Sequence, residues 1–160
     1  MLFFEEKQML RSNSIVLLGI PGMVVVFILG LINLNNGKGD LTGLIIISLI
    51  IVLFIFLLLL SFLYVRIEKE GIIVRFFPFH IKPKVYLWAD IESLEVRKYK
   101  PLREFGGWGI KGTKNNRAFN VSGDMGLQIT FKSGKKLLVG TAQPQKLEIS
   151  LLEIREKMNV

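Results

Sequence analysis

Two uncharged apolar runs, Ile15 to Leu34 and Leu44 to Val65, constrain this chain more than any other feature of its sequence. At about 1.5 Å of rise per residue, each run is long enough as a helix to cross the roughly 30 Å hydrocarbon core of a bilayer. The remaining residues are too few to cover two helices that are apolar all round, so a pair of buried core helices is a poor alternative. The connection Asn35-Asn36-Gly37-Lys38-Gly39-Asp40 is short and rich in turn residues, which makes the helices antiparallel neighbours. The expectation is a transmembrane hairpin with spans at 15–34 and 44–65. Glu5 and Glu6 ahead of the first run, and the lack of small-residue cleavage chemistry at Leu34-Asn35-Asn36-Gly37, argue against a cleaved signal peptide.

Orientation follows from Lys and Arg. The loop between the runs has only Lys38, whereas Lys7 and Arg11 flank one side and Arg66, Lys69 and Arg75 the other. Both termini are therefore expected in the cytoplasm, with the chain multi-pass in the plasma membrane. Neither run holds an ionisable residue, and intramembrane charges are what usually mark an ion or proton path, so the hairpin reads as an anchor. Residues 1–14, with Leu2, Phe3, Phe4, Met9 and Leu10 around a few charges, read as an interfacial segment on the cytoplasmic surface.

The chain's 51% hydrophobic content is concentrated in the two runs, and residues 66–160 read as one small soluble domain. Lys7, Arg11 and Lys38 cancel Glu5, Glu6 and Asp40, so the whole formal charge of +8 belongs to that domain. A basic domain beside a bilayer attracts anionic headgroups, worth roughly 1 kcal/mol per cation near the surface. Its apolar pattern alternates, the mark of strands with one buried face. Strands are expected at Tyr64 to Glu68, Ile72 to Phe77, Lys84 to Leu87, Ser93 to Arg97, Arg117 to Val121, Gly126 to Phe131 and Lys136 to Val139. From Pro144 the period becomes helical, with Leu147, Leu151, Ile154 and Met158 on one face. About seven strands and a C-terminal helix make a mainly-β barrel or sandwich behind the two-helix hairpin.

Particular residues accompany that order: Glu70-Gly71-Ile72, Trp88-Ala89-Asp90-Ile91, Gly106-Gly-Trp-Gly-Ile-Lys-Gly112, Ser122-Gly-Asp-Met-Gly126 and Gly140-Thr-Ala-Gln-Pro144. Together, over roughly residues 62 to 158, they resemble the pleckstrin-homology-like domains of small bacterial membrane proteins, in which a two-helix anchor is also common. The resemblance implies a fold and a membrane setting, and fold alone does not supply function.

Chemistry is sparse. With no cysteine and only His80, disulfides, cysteine metal sites and multi-histidine sites are excluded within one chain, and no metal or cofactor is expected. Gly107-x-Gly109-x-x-Gly112 has the dinucleotide-binding spacing, but turn sequence rather than a helix follows it, so these glycines are read as serving a crowded bend. Asp90, Glu92 and Glu95 do not share a face, and Ser122 lacks a nucleophile-elbow context. The densest feature is a basic stretch, Lys98, Lys100, Arg103, Lys111, Lys114 and Arg117, with Trp108 among its interleaved aromatics. These seven residues are the candidate contacts for anionic lipid or a membrane-protein partner. No nucleic-acid motif accompanies them. The expected function is that of a membrane-anchored, non-enzymatic binding or scaffolding protein, the alternative being an accessory subunit of a membrane transporter or enzyme complex.

Overall fold

A computed structural model describes residues 1–10 and 19–158, with side chains through residue 156. Helix α1 spans Gly19–Asn35 and α2 spans Leu41–Leu60; they pack as neighbours, and neither has a buried residue. Asp40 caps α2 by accepting a hydrogen bond from the Gly43 N–H at 2.9 Å. Among the described residues only α2 has the length and composition to cross a membrane; the described part of α1 is 17 residues long. Residues 15–18 of the expected first span lie outside the described residues.

The second span ends earlier than hydropathy suggests. Ser61 leaves the helix with φ −71° and ψ 132°, its hydroxyl donating to the Leu57 carbonyl at 2.6 Å, and Phe62 starts a strand. Residues 61–65 thus belong to the domain and not to the span 44–65. Leu63 and Val65 point into the core while Phe62 and Tyr64 face outward, so both faces of this strand are apolar or aromatic at its start. Hydropathy cannot distinguish that from more helix.

The expected interfacial segment is corrected more sharply. Leu2–Met9 is a strand, β1, antiparallel to β2 (Phe62–Glu68), with Glu5 opposite Arg66 and Met9 opposite Phe62. The hairpin is therefore an insertion between two adjacent strands, and the domain is built from both sides of it rather than from residues 66–160 alone. Strands β3 (Gly71–Phe77) and β4 (Lys84–Leu87) complete a four-stranded sheet in the order β1-β2-β3-β4. A 3-10 turn, Trp88–Asp90, leads into the second sheet, made of β5 (Ile91–Lys98), β6 (Gly109–Gly112), β7 (Asn116–Asn120), β8 (Met125–Phe131) and β9 (Lys136–Gly140). Its order is β5-β8-β9-β7-β6, with β7 and β9 parallel. The seven expected strands are present; β1, β6 and the short helix α3 (Pro101–Phe105) are additions.

The sheets bury Leu63, Ile67, Ile72 and Val74 from one side against Phe119, Leu127, Ile129 and Val139 from the other. Helix α4 (Pro144–Met158) adds Leu147, Leu151 and Ile154 where β1 and β5 form the sheet edges. Full burial of each such side chain contributes about 1.5–3 kcal/mol. Three polar side chains tie β1 to this closure. The buried Glu6 carboxylate accepts from the Thr141 hydroxyl at 2.6 Å and the Ala142 N–H at 2.8 Å. Gln8 Nε2 donates to the Gly140 carbonyl at 2.8 Å, and the Ser150 hydroxyl to that of Phe3 at 3.0 Å.

Two outcomes are expected. A fragment starting at Ser61 should be unfolded by circular dichroism, whereas residues 1–10 joined to 61–160 by a short Gly-Ser turn should fold, because Leu10 N–H already meets the Ser61 carbonyl at 2.9 Å. Equal folding of the two would refute the role given to β1. In chemical denaturation of the full chain, Glu6→Ala should lose about 2–6 kcal/mol, since it leaves the Thr141 hydroxyl and the Ala142 N–H without their partner at about 1–3 kcal/mol each. Glu5→Ala, on the exposed face, should stay within about 0.5 kcal/mol of the parent.

Candidate functional site

The seven sequence candidates do not form one patch. Lys98 is ion-paired to Asp124 at 3.0 Å, and Trp108 donates its indole N–H to the Gly123 carbonyl at 3.1 Å. Lys100 and Arg103 belong to α3 and its N-cap, beside Glu104, which accepts from the Lys100 N–H at 2.7 Å and from Arg97 at 2.9 Å. Arg97 holds the Glu104 carboxyl below its ordinary value, partly opposed by burial and helped by that backbone N–H. Lys111 lies on β6, and Lys114 in the turn at the other end of the β6-β7 hairpin from Trp108. Arg117, on β7, instead acts electrostatically on His80 and Tyr86 of the other sheet. The linear cluster is divided because β6 and β7 reverse the chain within it.

The basic stretch has a structural task as well. Asn120, fully buried, donates to the Tyr99 hydroxyl at 3.0 Å and accepts from Gly109 N–H at 2.9 Å. Tyr99 packs edge-on to Phe105 at 6.0 Å, covering the outer face of the second sheet; burial is the main reason its hydroxyl titrates above the ordinary tyrosine value. Gly112 has φ 85°, and a Cβ there would collide with the Asn116 carbonyl oxygen. Its place is a tight hairpin, as the crowded-bend reading of the glycine motif anticipates, since β6 rather than a helix follows the first glycines. Asp90 lies in the 3-10 turn, where its carbonyl accepts from Lys132 N–H. Among the described residues no group of acidic residues and histidine is arranged to hold a metal ion.

A different region gathers chemistry by topology. Register places the end of β1, the start of β2, the end of β3 and the start of β4 at one end of the first sheet, the end from which the helices leave. Phe62 and Phe77 stack there at 5.3 Å. One step further from the helices come Lys7, Tyr64 and Arg75, adjacent across three strands. The Lys7 ammonium lies 4.4 Å from the Phe62 ring, and the Arg75 guanidinium 5.4 Å from Phe77 and 5.8 Å from Phe62. Cations against aromatic faces in this way gain about 0.5–1 kcal/mol at exposed sites. Tyr64 donates to Glu5 at 2.8 Å; its hydroxyl is raised above its ordinary value, by burial first and then by that carboxylate.

The β3-β4 loop, residues 78–83, extends this rim. Phe79 and Ile81 are 69% and 78% exposed. His80 turns inward, its ring edge-on to Phe119 at 4.9 Å, and its carbonyl accepts from Arg75 Nε at 3.3 Å. The Lys84 ammonium covers the same Phe119 ring at 5.5 Å. An aromatic belt backed by cations at the base of apolar helices is the arrangement that membrane-water interfaces favour. No run of sequence marks this rim, because its residues are scattered between positions 7 and 119 and only strand register assembles them.

Burial disfavours the His80 imidazolium, and the Lys84 and Arg117 charges add to this, so its pKa lies below 6.5. Unfolded, the ring regains its ordinary value. As pH falls through 6.5 the unfolded chain takes the proton first, and the contribution of His80 to stability declines. The imidazole signal, unique in this chain, should titrate below 6.5 by NMR in uncharged detergent, and Lys84→Gln should move it upward by removing a repelling charge. An unchanged value in that variant would place Lys84 too far away to act.

No protein family, curated protein or solved structure matches this chain.

Proposed function

We propose that this protein is a membrane-anchored, non-enzymatic binding module of the pleckstrin-homology-like kind, with its mainly-β domain fixed on the cytoplasmic face of the plasma membrane. The observation that carries this reading is the pairing of β1 with β2 across the inserted helices. The chain leaves and re-enters the domain at one edge, so helices that cross a bilayer as a hairpin return to the same side. The apolar surface of α2 supports the membrane setting, because wholly exposed helices of this composition are stable in lipid and not in water. The side follows from cations: Lys7, Arg75, Lys82 and Lys84 lie at the domain's helix-proximal end, against Lys38 alone in the interhelical turn. Two packed sheets closed by a C-terminal helix support the mainly-β part of this reading. Binding rather than catalysis is favoured because polar side chains such as Asn120 and Glu6 are engaged in structure.

A second reading, an accessory subunit of a transporter or membrane enzyme, is favoured by an apolar groove between the helices. Gly19, Gly22 and Val26 line it from α1, and Ile47, Ile50 and Ile51 from α2. Small residues on such a face let another helix approach closely.

Because the chain has no cysteine, single replacements report topology cleanly. With Lys38→Cys and Lys135→Cys, an impermeant maleimide on intact cells should label the first and spare the second until the cells are opened. Labelling of position 135 on intact cells would overturn the orientation. Purification in mild detergent separates the readings, since a stoichiometric larger partner supports the subunit and its absence the autonomous module.

A further inference from the structure

We propose that the β3-β4 loop is a second membrane contact, with Phe79 and Ile81 entering the headgroup region of an anionic bilayer while Arg75, Lys82 and Lys84 meet its phosphates. The inference rests on the membrane reading above and adds a lipid-binding surface to it.

Position is the first argument. Phe77, the last residue of β3, lies opposite Phe62, two residues beyond the end of α2. The loop therefore begins at the base of the helix, on the side where that helix would enter lipid. Exposure is the second. A domain that buries Phe4, Phe76 and Phe119 almost completely leaves Phe79 and Ile81 among its most exposed apolar side chains, both on this loop. Pro78 and Pro83 limit the backbone freedom of the segment that carries them, which lowers the entropy lost on insertion.

Charge is the third argument. Between Glu70 and Asp90 the chain carries Arg75, Lys82 and Lys84 and no carboxylate. None of these three cations forms a salt bridge among the described residues. Lys98, by contrast, is paired to Asp124, and the nearest carboxylate at the rim, Glu5, is engaged by the Tyr64 hydroxyl. Unpaired cations next to exposed apolar tips complement an anionic interface, in which the tips reach the acyl boundary and the cations stay at phosphate depth.

The full chain in lipid nanodiscs provides the test, with an environment-sensitive fluorophore on single cysteines. Ile81→Cys reports the loop, Ile50→Cys the interior of α2, and Ser133→Cys the β8-β9 turn remote from the helix exit. With anionic lipid carrying a doxyl quencher near the headgroup, the label at 81 should be blue-shifted and quenched while that at 133 is not. Lys82→Glu with Lys84→Glu should reduce the quenching at 81 and leave the label at 50 in lipid; Phe79→Ser, at an exposed position, should do the same without disturbing the fold. A label at 50 buried in lipid with one at 81 as wet as at 133 overturns the contact and keeps the anchor. A label at 50 in water overturns the anchor itself. Equal quenching at 81 in neutral lipid, unaffected by charge reversal, overturns the role of the cations.

Discussion

The antiparallel pairing of β1 with β2 is the interaction on which the rest of the structure depends. It joins residues that more than fifty positions of sequence separate, Met9 to Phe62, through a ladder that continues into β3 and β4. Loop-closure entropy grows only logarithmically, so an insertion of this length costs on the order of 3–4 kcal/mol, which the ladder and its buried face can offset. The packed antiparallel helices reduce even that cost by presenting their ends side by side.

Once β1 is in place it carries the closure of the sandwich. An edge strand with its hydrogen-bonding groups free would invite other chains, and here α4 covers that edge. The Ser150 hydroxyl, the Gln8 amide and the Glu6 carboxylate all cross between the N-terminal strand and the C-terminal part of the chain. Glu6 is the most consequential of these, since a buried carboxylate is tolerated only where hydrogen bonds satisfy it. The two ends of the sequence thus meet at one place in the domain, and a change in the anchor's entry strand reaches the start of α4 directly.

The alternating strands after Val65 and the helical period after Pro144 were legible because each buries a single face, leaving the periodicity that hydropathy detects. β1 was not. Phe4 and Leu10 sit among charges that look like an interfacial or targeting segment, and the inward position of Glu6 breaks the apolar alternation. The strand start at Phe62 was hidden for the opposite reason, since apolar residues occupy both of its faces. The tight turn at Gly112 is legible in its glycines, but the strand leading into it is not, because four residues with two glycines carry no strand signal and only pairing with β7 makes them one. The candidate residues are grouped by proximity in sequence, whereas the fold places Lys98 and Lys114 at opposite ends of the second sheet and brings Arg117 near Lys84 and His80.

On the proposed membrane reading, a domain tethered at one edge always presents the same end to the bilayer, and this changes what its surface can carry. On a freely tumbling protein, Phe79, Ile81 and the half-exposed Phe62 and Phe77 around one loop would risk self-association. Held against a membrane, the same side chains face a medium that accepts them, while Lys7, Arg75 and Lys84 lie within reach of phosphate. The hydrophobic effect that fills the sandwich core would then act at the rim as well, with the bilayer standing in for the opposing sheet. Anchor and rim are in this sense coupled through β2 and β3: the strand pairing that fixes where the helices emerge also fixes which loop lies beside them.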